Sequence, residues 1–327
     1  MIYPWLKNDW DTLTSMRKQK RLPHALMLVG PTDFGIESFA KTLANAILCE
    51  KGQENACGEC RSCRLFRAGN HADYFQVQPA ESEVIKVDVL REVCRSLTQK
   101  SARGGYQVVL IEQADKMQAS GANALLKTLE EPEGDVLFIL WVTRLEALPP
   151  TLRSRTQQFI LGAGKVKEMQ TWLSDKYELD SEKPWLKVAC NRPLSVCSLQ
   201  EDNYFLTRDK LIASLQAVKE KRKFALDGVD EFRNWNRSTY FYALISIAAD
   251  GLRNRLQVSS THWTNEDKEK EIEHLFEGLE PKQALDFYDC TQQIWRYEQL
   301  PQALNKTLLD CQIWLEWEKI TEARYAH

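Results

Sequence analysis

Short, mostly apolar runs punctuate the first half of the chain, at 25–29 (ALMLV), 73–78 (DYFQVQ), 107–111 (QVVLI), 136–142 (VLFILWV) and 157–161 (QQFIL). Each has the length of a strand, and longer stretches with amphipathic helical spacing separate them. At 122–129, Ala122, Leu125, Leu126 and Leu129 fall at i, i+3, i+4 and i+7, one apolar stripe on a helix that Pro132 must end. Strand–helix alternation of this kind predicts an α/β domain on a mainly parallel, doubly wound sheet.

After about residue 163 the strand signal stops. The remainder reads as helix with short polar breaks, for example with Leu304, Leu308, Cys311 and Leu315 at steps of four, three and four. The simplest division is an α/β domain over 1–163, a small helical domain over 164–204 and a larger helical domain over 205–327. Trp235, Trp263, Trp295, Trp314 and Trp317 lie in amphipathic helices and not in a basic sheet, so they are expected to pack cores or subunit contacts rather than stack on bases.

The composition, 43% hydrophobic and 27% charged over 327 residues, allows a sizeable core in an ordinary soluble protein. A formal net charge of −3 argues against a freestanding nucleic-acid binder held by a global positive field. The local run Arg17, Lys18, Lys20, Arg21 serves equally well as a contact or as a solvated helix face. Neither an apolar run of membrane-spanning length nor a secretion signal is visible, so a cytoplasmic location is expected. Nine cysteines in that compartment would not form a disulfide framework.

Candidate chemistry begins at "LMLVGPTDFGIESFAKTLANAIL" (26–48), where a strand enters a glycine-bounded loop and then a helix, the context of a Walker A phosphate loop. Gly30 and Gly35 occupy the two glycine positions, but Ile36 and Glu37 stand where lysine and serine or threonine belong. Isoleucine brings neither charge nor donor to a terminal phosphate. A Glu37 carboxylate about 4 Å from a phosphate charge would repel it by roughly 4 kcal/mol at an effective dielectric of about 20. Lys41, about 9 Å further along a helix and on another azimuth, is not expected to replace the missing cation.

The second phosphate element agrees. In "VVLIEQADKM" (108–117), Glu112 takes the metal-holding place of a Walker B strand, while Gln113 stands where a water-activating glutamate belongs and cannot accept a proton. Two matching losses at two loops point to a fold that kept its loops and gave up its own hydrolysis, and no bound ATP is expected.

Cys49, Cys57, Cys60 and Cys63 give C-x₇-C-x₂-C-x₂-C. Two successive C-x-x-C steps, aided by Gly58, bring thiolates to one point, and Cys49 closes a tetrahedron. Four sulfurs leave no open position, so the spacing predicts a structural Zn²⁺ that stabilises the 49–63 loop. His71 is a conceivable substitute ligand, but with four cysteines available it is expected in the core or in solvent.

"LPHALMLVG" (22–30), "GANALLKTLEEP" (121–132) and "TLRSR" (151–155) closely resemble bacterial clamp-loader subunits of the AAA+ class. The resemblance is specific over 1 to about 160 and extends more loosely over the whole chain. It implies an AAA+ P-loop domain carrying an inserted zinc module, then a small helical lid and a C-terminal helical collar. Because the family's motor subunits keep intact Walker motifs, Ile36, Glu37 and Gln113 mark a non-hydrolysing member.

The family's serine-arginine-cysteine motif, which sends an arginine finger to a neighbour's ATP, reads Ser154, Arg155, Thr156 here, with the arginine kept and the cysteine lost. Thr143 matches the first sensor position, expected to be structural without nucleotide. Arg192 matches the second sensor too loosely to carry its role. The implied partners are delta and the ATP-binding gamma/tau subunits in a hetero-pentamer that opens a sliding clamp and places it on primed DNA. Two rival readings remain: an active ATPase with a non-standard loop, and an independent zinc-dependent DNA-binding module.

Overall fold

The computed structural model describes residues 2–52, 54–80, 84–98, 100–162, 166–177, 193–195, 203–298 and 305–322. These form two compact units, one holding the chain up to Lys176 with Pro193 and Leu194, the other Tyr177 and the described residues from Ser195 onward.

The first unit alternates helices and strands as the apolar runs predict. Its elements are α1 (Lys7–Lys18), β1 (Ala25–Val29), α2 (Ile36–Leu48), α3 (Arg61–Arg67), β2 (Tyr74–Val77), α4 (Val87–Leu97), β3 (Gln107–Ile111), α5 (Ala119–Glu130), β4 (Val136–Val142), α6 (Pro150–Arg153), β5 (Gln157–Ile160) and α7 (Val166–Tyr177). The strands make one sheet in the order β2-β3-β4-β1-β5. All four pairings are parallel, with Ala25 opposite Phe138 and Val108 opposite Leu137. The central strands β3 and β4 are buried throughout, which is why they read as continuous apolar runs rather than as alternating ones.

Helix α5 buries Ala122, Leu125 and Leu129 and packs Leu126 against the same core, the stripe its spacing predicts. Helix α7 starts beyond the expected end of the first domain at 163, yet Trp172 packs edge-on against Tyr3 and Trp5, with centroids 5.6 and 5.2 Å apart. The expected small helical domain over 164–204 otherwise falls largely outside the described residues, as does Arg192.

The second unit is helical: Tyr204–Lys219, Ala225–Phe232, Arg237–Arg255, Glu269–Phe276, Pro281–Glu298 and Lys306–Glu322. Trp263, Trp314 and Trp317 are buried in its core, and Trp235 and Trp295 pack against that core. The core-packing expectation therefore holds for all five. In the last helix the buried side is Ile313, Trp314, Trp317 and Ile320, while Leu308 and Leu315 of the expected stripe are 66% and 48% exposed and Leu304 lies outside the described residues. Two apolar stripes share this helix, and the aromatic one won the core because it removes more surface from water.

Two long cationic side chains of this unit are held by several hydrogen bonds each. Arg208 grips Asp267 with two hydrogen bonds of 2.8 and 2.7 Å, and the Lys219 ammonium donates to the carbonyls of His274, Leu275 and Glu277 at the end of a helix. Trp317 lies against Phe276 and Phe287, and its indole donates to the Leu215 carbonyl at 2.9 Å. Trp317→Ala should cost about 3–5 kcal/mol, read as a lowered urea midpoint at unchanged slope.

Candidate functional site

The loop between β1 and α2, Glu112 after β3 and Thr143 after β4 all lie at the carboxyl ends of the parallel strands, where such sheets bind ligands. Gly30 leaves β1 with its amide donating to the Val142 carbonyl at 3.0 Å. Gly35 enters α2 at φ +88°, and a Cβ there would sit 2.3 Å from the Tyr3 ring. Only glycine fits that combination of left-handed backbone and aromatic contact.

Tyr3 stacks on Trp5 at 4.9 Å, and the Trp5 indole donates to the Phe34 carbonyl at 2.9 Å. An aromatic cluster thus lies against the loop, which the sequence reading did not anticipate. The "YPW" at 3–5 is the signal that was there to read.

Ile36, in the lysine's place, is buried, and its Cδ1 lies 2.3 Å from where a Gly30 Cβ would be. The side chain folds back under the loop instead of reaching outward. Glu37 and Lys41 are one helical turn apart and paired at 2.6 Å, so the repulsion expected from an isolated Glu37 carboxylate is reduced.

Lys41 also reaches Glu112 at 3.2 Å, and the Gln76 amide donates to the same Glu112 oxygen at 2.7 Å. Burial pushes the Glu112 carboxyl above its ordinary range against the opposing pull of Lys41. For Lys41, burial works the other way, but hydrogen bonding to Glu37 and the Glu112 charge outweigh it and hold the ammonium pKa above its ordinary value. Glu37 and Lys41 line a cleft of about 790 Å³ that extends from Thr32 over α2 to Asn55 and Gly58 of the cysteine segment.

Gln113 carries a positive φ of 48° and lines the same cleft. Thr143 is held structurally: its amide and hydroxyl both donate to Asp115, at 3.0 and 2.7 Å. Asp115 was not singled out from sequence, although it follows the Walker B strand closely. Arg155 sits in the turn from α6 to β5, a third of its side chain exposed. Its guanidinium donates to Glu130 at the end of α5 (2.6 Å) and to the Thr151 carbonyl (2.8 Å). Thr156, in the lost cysteine's place, is buried and donates to carbonyls of α6 at 3.2 Å.

The four cysteine sulfurs lie within 4.8 Å of one another, Cys57 and Cys63 at 4.0 Å. Tetrahedral zinc at about 2.3 Å from each sulfur sets sulfur separations of about 3.8 Å, so the donor set fits such an ion. Backbone amides of Cys57, Cys60 and Cys63 donate to the sulfurs of Cys49, Cys57 and Cys60 at 3.3–3.4 Å. The amides of Cys60 and Glu59 pull the Cys57 thiol down to about 6, whereas burial pushes the Cys63 thiol up to about 12.

His71 is not among the sulfurs' companions. The Asp73 amide donates to its Nδ1 at 3.1 Å, so Nε2 carries the proton and meets the buried Ser62 hydroxyl at 2.8 Å, which donates onward to the Leu48 carbonyl. Burial lowers the His71 pKa and keeps the ring neutral. This chain of bonds fastens the cysteine segment to the end of α2, and Lys18 of the basic run pairs with Glu54 across the same segment.

Sheet, loop and strand-end acid define an α/β domain of the P-loop class in which Ile36 and Glu37 stand where lysine and serine or threonine would. The family described as DNA polymerase III, delta subunit, matches residues 5–163. The chain is 30% identical to the DNA polymerase III subunit delta′ of Pseudomonas aeruginosa over 324 residues, spanning 96% of this chain and 95% of that one. It is 32% identical to subunit delta′ of Escherichia coli over 217 residues, 65% of each chain. To the tau subunit of Escherichia coli it is 35% identical over 151 residues, 46% of this chain and 23% of tau. The chain belongs to the DNA polymerase III delta′ subunit family, of the clamp-loader class. Among the described residues no helix is long and apolar enough to cross a membrane.

Proposed function

We propose that this chain is the stationary, non-hydrolysing member of a cytoplasmic clamp-loader hetero-pentamer with delta and gamma/tau, which opens the sliding clamp and places it on primed DNA. The observation that carries the reading is the replaced cation of the loop: Ile36 is turned inward under Gly30, and the nearby Lys41 is engaged by Glu37 and Glu112. A terminal phosphate would meet no lysine of the Walker type there. The AAA+ module then serves as a wall against which its neighbours move, with Arg155 reaching a neighbour's ATP. Zinc on Cys49, Cys57, Cys60 and Cys63 stiffens the module without taking part in chemistry.

The three-part division into P-loop domain, lid over 164–204 and collar over 205–327 belongs to this reading. Leu308 and Leu315, exposed on the last helix, supply apolar surface of the sort a collar buries against other subunits.

Two measurements test it. Labelled ATP titrated against the isolated chain should show no binding at micromolar concentrations; a micromolar Kd would establish the rival active ATPase. Size-exclusion chromatography with purified delta and gamma/tau should move the chain from monomer to a five-subunit species. Salt-dependent binding of DNA by the isolated chain would instead favour an independent zinc-dependent DNA-binding module.

A further inference from the structure

The loss of the Walker A lysine would by itself leave two carboxylates close together beside the loop. Glu37 lies at the first turn of α2 and Glu112 at the end of β3, and both have an oxygen on the same ammonium, at 2.6 and 3.2 Å. Glu112 is fixed from two further sides: its amide donates to the Val77 carbonyl at 2.8 Å, and Gln76 donates to its carboxylate. Its side chain is only 8% exposed, so its charge needs a partner at short range. In an active P-loop site a divalent cation beside the nucleotide phosphates supplies that partner. Here Lys41, five positions beyond the altered lysine site, reaches it from one turn further along α2.

We propose that the Lys41 ammonium is the built-in counter-ion of Glu112 and Glu37, standing where a divalent cation would bind and excluding one from the cleft. This rests on the reading that the chain holds no ATP of its own, and it adds that the metal place is filled as well as the phosphate place emptied. The two carboxylates are hard oxygen donors of the kind magnesium and manganese take, with one lysine neutralising them. The same negative charges act on the buried Tyr74 hydroxyl, whose pKa burial, Glu112 and Glu37 all raise.

The test uses the full chain with its zinc in place and Mn²⁺ as the probe, free ion being followed by electron paramagnetic resonance. Lys41→Met keeps the aliphatic stem and removes the charge. It should gain one Mn²⁺ site at least about tenfold tighter than any in the parent, and Lys41→Met with Glu112→Gln should lose it again. Equal Mn²⁺ binding by parent and Lys41→Met, or a gained site that survives Glu112→Gln, would overturn the proposal. ATP titrated against the unaltered chain reports separately on the non-hydrolysing reading, because Ile36 is unchanged in every variant.

Should Lys41→Met fail to fold, amine reactivity answers the same question. In the parent protein, reductive methylation of Lys41 should run at least about threefold slower than that of the exposed Lys7, and Glu112→Gln should remove most of that protection. Equal methylation of Lys41 in both proteins would refute the assignment.

Discussion

Replacing Arg155 with alanine in a reconstituted clamp-loader assembly is expected to slow ATP hydrolysis at the neighbouring site by about 10³-fold or more, the range of a guanidinium acting in trans on a γ-phosphate. The expectation follows from where the side chain is. It leaves the α6–β5 turn partly exposed and is tied to Glu130, an exposed pair that contributes roughly 0–1 kcal/mol and gives way readily to a stronger anion. The isolated Arg155→Ala chain should accordingly melt within a degree or two of the parent, separating a lost finger from a lost fold. Arg155→Lys should recover only part of the rate, because an ammonium cannot reproduce the planar two-point fork. Single-turnover hydrolysis at the adjacent site is the measurement, and an unchanged rate for Arg155→Ala sinks the finger assignment.

Removing metal from the cysteine segment should have the second large effect. Purified under reducing conditions, the chain should carry one zinc by elemental analysis, and Cys63→Ser should carry none. The segment from Glu50 to Cys60 is mostly exposed or half-exposed and has little apolar burial of its own, whereas structural zinc contributes on the order of 10 kcal/mol to comparable small modules. Loss of the ion should thus unfold the segment locally. The Ser62–His71 link would carry the disturbance to the end of α2 and the start of β2. Amide exchange should show residues 49–67 losing protection first, with the sheet following at lower stability. A metal-free parent chain, or a Cys63→Ser chain with unaltered exchange, would contradict this.

Much of the first unit was legible because its information is local. Strands β1, β3 and β4 lie at the residues their apolar runs mark, since a strand buried on both faces must be apolar at every position. The altered loop was legible for a similar reason: the glycines, Ile36 and Glu37 are read at fixed spacing in one short stretch. The cysteines were brought together by tight turns that their own spacing encodes.

Lys41 shows where local reading fails. Helical geometry alone placed it too far along α2 to serve the phosphate loop, and that reading misses Glu112, at the end of a strand of the folded sheet. The last helix makes the same point. Two apolar stripes are written on it, and no periodicity can say which one faces Trp317's partners Phe276 and Phe287 and which one faces outward with Leu308 and Leu315. The aromatic cover of Tyr3, Trp5 and Trp172 over the loop joins residues from both ends of the first unit, so no window of sequence contains it.

Sequence by itself therefore determined the strands, the residues of the altered loop and the four-cysteine set, because each depends on residue type at short, fixed separations. Only the tertiary structure decided which cation meets Glu112, which stripe of the last helix is buried and what packs against Gly35. Those outcomes depend on distances between segments far apart in the chain, which are set when the sheet and its helices pack.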